Sequence, residues 1–120
     1  MLKVRRVYSA PEKSDGFRIL VDRIWPRGLS KEKAEIDLWY RDIAPSKALC
    51  KSFDHIPEKF AVFKEEYFKE LAENPVTDAF LYLLEGQLDK GDVTLVYGAK
   101  DEQNNQAVVL QEYVFSKFNK

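Results

Sequence analysis

Phe17-Arg18-Ile19-Leu20-Val21-Asp22 is the stretch on which the fold turns. Its nearly continuous apolar run suits a central strand buried on both faces, the situation of strands in a parallel sheet. The run stops abruptly at Asp22-Arg23-Ile24-Trp25-Pro26-Arg27-Gly28, where proline and glycine together forbid regular structure. A second run of the same kind is Val93-Thr94-Leu95-Val96-Tyr97, which leaves through the tight loop Gly98-Ala99-Lys100-Asp101. Val4, Val7 and Tyr8 place a first strand over about residues 2–8, joined to the central run by the turn-rich residues 9–16. That short connection permits either a hairpin or a short crossover. Ile36-Asp37-Leu38-Trp39-Tyr40 alternates weakly and suits a third strand or a helix end.

Helices fill the intervals. Ser30 can cap a short helix, and Ser46 a helix over about residues 47–53. Pro57 suits a first helical turn, after which Phe60, Phe63, Tyr67 and Leu71 recur at three- and four-residue steps. Asn74-Pro75 breaks that stripe, and Val76, Phe80, Leu83, Leu84 and Leu88 form another that Gly91 stops. A last helix beginning near Asn104 buries Ala107, Leu110, Val114 and Phe118. Strands separated by helices predict an α/β protein, a three-layer α/β/α sandwich around a small, mostly parallel sheet. With 120 residues the expectation is one domain over residues 1–120.

Composition narrows the function classes. The single Cys50 excludes an internal disulfide framework and a multi-cysteine zinc site, and the single His55 leaves no His-rich metal site. The N-terminus lacks the long apolar stretch of a signal peptide, and no run approaches membrane-spanning length, so a cytoplasmic protein is expected. Neither a Gly-rich phosphate loop, a nucleophile elbow nor a Cys-x-x-Cys is present. No cofactor and no metal are expected. The net charge of −1 conceals a division: residues 1–53 hold 12 Lys and Arg against 7 Asp and Glu, and all six arginines lie in the first 41 residues. Arginine is the side chain suited to bidentate capture of phosphate or carboxylate.

In a parallel α/β sheet ligands bind beyond the carboxyl ends of the strands. Three segments meet that condition. The first carries Asp22, Arg23, Trp25 and Arg27: two cations, a stacking face and an acid. The second, Ala44-Pro45-Ser46-Lys47, offers a hydroxyl and helix-start amides. The third runs from Gly98 to Asn105 and supplies Lys100 and the Asn105 amide. Asp22 is the candidate acid–base group; Arg23, Trp25, Arg27, Ser46, Lys100 and Asn105 are candidate ligand-binding residues. Plainer roles stand beside these. Tryptophans more often anchor cores, Asp22 and Arg23 can pair with each other, and Ser46 is fully explained as a cap. His55 reads as a loop hydrogen-bonder, and Cys50 as a small core residue.

Arg6-Val7-Tyr8, Asp15 through Gly28 with its Asp-Arg-x-Trp-Pro-Arg-Gly string, Leu38-Trp39, Ala44-Pro45-Ser46, Phe53-x-His55-x-Pro57-Glu58, Val93 through Tyr97 and Ala99-Lys100-Asp101 together resemble the domain-of-unknown-function family 488, the YeaO-like proteins. The resemblance spans nearly the whole chain. It implies a cytoplasmic bacterial or archaeal protein with a three-layer α/β fold. Longer relatives carry an Asp-x-Arg loop after the second strand and a Cys-His-Arg segment after the last, which parallels the first and third segments. One departure stands out: YeaO-like proteins usually carry Asn-His-Ala where this chain has Asn105-Gln106-Ala107. Were that histidine the acid–base group, Gln106 could still hydrogen-bond but not transfer a proton. The expected partner is an anionic, phosphorylated or nucleotide-like small molecule. A nucleic-acid or protein-interaction module using the N-terminal arginines is the rival, and no membrane partner is expected.

Overall fold

Four strands, all parallel, form one sheet in the order β1-β4-β2-β3 in a computed structural model that describes residues 1–118. They are β1 (Leu2–Arg6), β2 (Phe17–Leu20), β3 (Leu38–Trp39) and β4 (Val93–Tyr97). The link between β1 and β2 is the short crossover and not the hairpin: the two strands are parallel, and β4 lies between them and pairs with both. The ambiguous Ile36–Tyr40 stretch contributes a strand of two residues at the edge, with Ile19 opposite Leu38 and Leu20 opposite Trp39.

The helices are α1 (Lys31–Ala34), α2 (Lys47–Phe53), α3 (Phe60–Glu73), α4 (Thr77–Lys90) and α5 (Gln106–Phe118). Their ends follow local chemistry. The Ser30 hydroxyl accepts from the Lys33 amide, and the Ser46 hydroxyl accepts from the Leu49 amide. Pro57 opens a 3-10 turn that leads into α3. Asn105, whose side-chain oxygen accepts from the Val108 amide, caps α5 and sets its start near the expected position.

The two sheet faces are covered unequally. Ile19, Val21, Val93, Leu95 and Tyr97 share one face and form the main core with Phe63, Tyr67, Phe80, Leu84 and Leu110 from α3, α4 and α5. The opposite face carries a small apolar cluster of Val7, Ala34 and Val96, flanked by Trp25, Leu29 and Ile36. Its outer layer is only α1 and the neighbouring loops.

Beside that small cluster the second face is polar. Arg18 is buried, and it meets Asp15 at 2.6 Å in an ion pair almost wholly removed from solvent. Its other nitrogens donate to the carbonyls of Ala34 and Glu35, at the C-terminal end of α1, where a cation complements the helix dipole. The buried Thr94 hydroxyl donates to the Asp15 carbonyl, so the pair is tied to β4 as well. A buried pair of this kind adds little net stability, but removing one partner costs several kcal/mol because the other charge is stranded.

β2 enters the sheet beside β4 through Gly16, whose φ of 67° and ψ of −133° belong to glycine. A Cβ there would stand 2.0 Å from the Asp92 carbonyl oxygen, the acceptor of the Phe17 amide that opens the pairing. Gly16→Ala should therefore lower stability by about 3 kcal/mol, combining backbone strain with a backbone clash. Urea unfolding checks this; a loss below about 1 kcal/mol would mean that the β2–β4 junction relaxes freely.

Candidate functional site

The register of the two central strands generates the candidate site. Phe17 lies opposite Val93 and Leu20 opposite Val96. Continued two residues past β2, the same register sets Asp22 against Gly98, and the Gly98 amide donates to Asp22 Oδ2 at 2.8 Å. The approach is close: a Cβ on residue 98 would lie 2.9 Å from that carboxylate oxygen and would require the Asp22 side chain to shift. Asp22 Oδ1 accepts from the side-chain amide of Gln106, the first residue of α5. One carboxylate thus joins the exits of β2 and β4 to the start of the last helix.

A cavity of about 350 Å³ opens beside this carboxylate at the carboxyl edge of the sheet. Asp22, Arg23, Asn105 and Gln106 supply its polar lining. Ile24, Ala44, Pro45, Phe53 and Phe63 give it apolar walls, and Cys50, His55, Gly98 and Ala99 complete it. Burial pushes the Asp22 carboxyl up to about 6, against the opposing hydrogen bonds from Gly98 and Gln106. Arg23 does not pair with it. Its guanidinium donates instead to the Ala44 carbonyl at 3.2 Å and to the Pro45 carbonyl at 3.1 and 3.2 Å. Carbonyls orient a guanidinium without cancelling its charge, so the cavity wall carries a fixed cation.

The other candidate residues are placed differently. Ser46 does cap α2, but the carboxylate of Glu70 from α3 already sits there, accepting from the Ser46 amide at 2.9 Å and from its hydroxyl at 2.6 Å. The place where an oxyanion was expected thus holds one from the protein itself. Trp25 leaves the cavity altogether: its indole N–H donates to the Leu29 carbonyl at 2.7 Å, and its ring packs with the small cluster on the second face. It meets Trp39 edge-on at 5.5 Å, the anchoring role tryptophan commonly takes. Arg27 is exposed and is not among the lining residues; its carbonyl accepts from Tyr8. Asn105 is buried and reaches the lining while holding α5 and the Asp101 carbonyl. Lys100 lines an adjoining cavity with His55, Gly98, Ala99 and Asp101.

Two residues take positions that the sequence reading did not give them. Cys50 is exposed and not a core residue. Its thiol faces the Pro45 carbonyl at 3.9 Å, and burial of that end pushes it up, opposed by the nearby Arg23 charge. His55 stands on the exposed rim of both cavities. It follows Asp54 in a pair of consecutive left-handed residues, with φ of 49° and 55°. Nothing in the spacing announces that bend, although Asp is among the few residues that tolerate it.

The N-terminal arginines are largely engaged within the fold. Arg5 holds the Ala10 carbonyl and the carboxylates of Glu12 and Asp15, and Arg6 donates to the Ala99 carbonyl. Arg41 lies over the Trp39 ring at 4.2 Å. Among the described residues there is no His, Cys, Asp and Glu group able to hold a metal ion. No helix among them is long and apolar enough to cross a membrane.

The family described as the inactive DUF488-N3 subclade matches residues 1–120. The chain belongs to this family. The uncharacterized protein YeaO of Escherichia coli K12 is 39% identical over 115 residues, covering 96% of this chain and 97% of its own length. Uncharacterized proteins of Mycobacterium bovis and Mycobacterium tuberculosis are 36% identical over 111 residues, covering 92% of this chain and 91% of theirs. No solved structure matches. At the start of α5 this chain places Gln106 on the Asp22 carboxylate, where an amide supplies a hydrogen bond but does not titrate.

The raised Asp22 carboxyl makes a sign-definite prediction. Below pH about 4 the folded and unfolded chains both hold the proton; between about 4 and 6 only the folded chain does. Stability from this group is therefore full below the ordinary carboxyl value and lost as pH rises through about 6. Asp22→Asn removes the dependence. Its stability relative to wild type should improve by about 1–2 kcal/mol from pH 4 to pH 7, a figure discounted for partial solvation. Denaturant titrations at both pH values check this, and a difference that stays flat would show that the carboxyl is not raised.

Proposed function

We propose that the protein binds a small anionic molecule, phosphorylated or nucleotide-like, in the cavity at the carboxyl edge of its sheet. The observation that carries this reading is Arg23, whose guanidinium is fixed in the cavity wall by the Ala44 and Pro45 carbonyls and forms no ion pair among the described residues. A cation held in place by neutral carbonyls is prepared for an anion at little cost in side-chain entropy. Phe53, Phe63 and Ile24 would receive an apolar or planar portion, and Asn105 and Gln106 lie beside it.

Binding without turnover is the better-supported form of this reading. Asp22 is the acid–base candidate named from the sequence, and its partner Gln106 cannot relay a proton. The subclade description "inactive" agrees with that chemistry. The rival reading, a polyanion surface made by the N-terminal arginines, has weaker support because Arg5, Arg6 and Arg18 are occupied by carbonyls or carboxylates within the fold and Arg41 lies over the Trp39 ring.

A thermal-shift screen of nucleoside monophosphates, sugar phosphates and short oligonucleotides tests the proposal. Ligand that saturates the site at about 100 times its Kd should stabilise by about 2.7 kcal/mol, a rise of several degrees for a chain of this size. The shift should disappear in Arg23→Gln and persist in Arg27→Ala. If no compound shifts the wild type more than it shifts Arg23→Gln, the pocket reading fails. A shift given by oligonucleotides alone, and abolished steeply by salt, would favour the polyanion surface.

A further inference from the structure

The cavity beside Arg23 is not isolated. It shares His55, Gly98 and Ala99 with a second cavity of about 500 Å³, whose remaining lining is Lys100 and Asp101. The two therefore run together over the carboxyl end of β4, with His55 as the wall common to both.

The charges in the second cavity are not equivalent. Asp101 spends its carboxylate locally: one oxygen accepts from the Gln103 and Asn104 amides at 2.9 and 3.0 Å, the other from the Asn104 side chain at 2.9 Å. These bonds turn it onto its own loop and hold its carboxyl below the usual range. Lys100 is exposed, and among the described residues it forms no ion pair. Each cavity therefore holds one cation that forms no ion pair among the described residues, beside an acid held by amides: Arg23 with Asp22 in the first and Lys100 with Asp101 in the second.

We infer that the ligand is an elongated molecule with an anionic group at each end, one taken by Arg23 and the other by Lys100 across the shared wall at His55. This inference rests on the anion-binding reading of the Arg23 cavity and adds a second subsite to it. Two anions on one molecule bind more tightly than one because the second association is intramolecular, provided that the spacer spans the sites. The glycine and alanine at the junction leave room for that spacer: Gly98 has no side chain and Ala99 only a methyl.

The test uses alkane-α,ω-bisphosphonates of increasing chain length beside alkylphosphonates of matching length, titrated calorimetrically into the full chain. The expected result is an optimum length at which the bisphosphonate binds at least about tenfold tighter than its monophosphonate counterpart. In Lys100→Ala, confirmed as folded by its melting curve, that preference should fall below about threefold. Monophosphonates that bind while every bisphosphonate stays within about twofold of them overturn the second subsite and leave the Arg23 reading standing. A bisphosphonate preference that Lys100→Ala does not change overturns it too, since the second charge then meets another residue. If neither series binds, the Arg23 reading fails and this inference fails with it.

Discussion

The parallel register between β2 and β4 is the constraint from which the rest of the molecule follows. It is opened by the Phe17 amide on the Asp92 carbonyl, made possible by Gly16, and continued to Leu20 opposite Val96. Strand register is discrete, and a one-residue slip would exchange the two faces. For β2, Ile19 would then leave the main core and Arg18 would enter it. The alternation of apolar and polar positions therefore holds the register, and the register sets Asp22 on Gly98. The candidate site is a consequence of strand pairing before it is a consequence of any loop.

The same economy explains the unequal distribution of arginine. A basic first half invites a reading as a surface for polyanions, but the fold uses those side chains mainly as internal fasteners. Arg18 holds the end of α1 to β2, and Arg6 links β1 to the loop after β4. Arg23 links the exit of β2 to the loop before α2. A guanidinium can satisfy several carbonyls in one plane, which suits the irregular segments between short strands and helices, where backbone acceptors lack ladder partners. Arg23 differs from the others in opening onto a cavity while it performs that task.

Much of this was legible in the chain because local chemistry decides it. The runs Phe17–Leu20 and Val93–Tyr97, the caps Ser30 and Ser46, the breaker Asn74-Pro75 and the stripe through Phe63, Tyr67 and Leu71 all act over a few residues, and their elements lie where the patterns put them. What depends on long-range arrangement was not legible. The insertion of β4 between β1 and β2 links segments more than seventy residues apart. The Glu70 carboxylate that fills the start of α2 comes from the middle of another helix, whose acidic residues read simply as a solvated face. Trp25 and Arg27 follow Arg23 closely in sequence, but the Pro26 turn carries Trp25 to the second face and leaves Arg27 exposed, away from the cavity lining. Cys50 illustrates the limit of periodicity: an apolar neighbourhood on a seven-residue helix does not determine which flank meets the core.

The pairing of Asp22 with Gln106 bears directly on what kind of protein this is. An ionisable neighbour could accept or supply a proton beside Asp22. An amide cannot, but it does hold a carboxylate in one orientation, and the Gly98 amide holds the other oxygen. Together they stabilise a charge that burial opposes, leaving the carboxyl near the middle of the physiological range and not in its ordinary one. A carboxyl raised toward neutral pH changes the charge of the cavity wall within that range. When ionised it repels an anion that slides away from Arg23 toward the sheet, and when neutral it can donate a hydrogen bond to one. Under the proposed anion binding, a ligand of constant charge such as a sulfonate should bind less tightly as pH rises through about 6, whereas a phosphate monoester gains charge over the same range and opposes that trend.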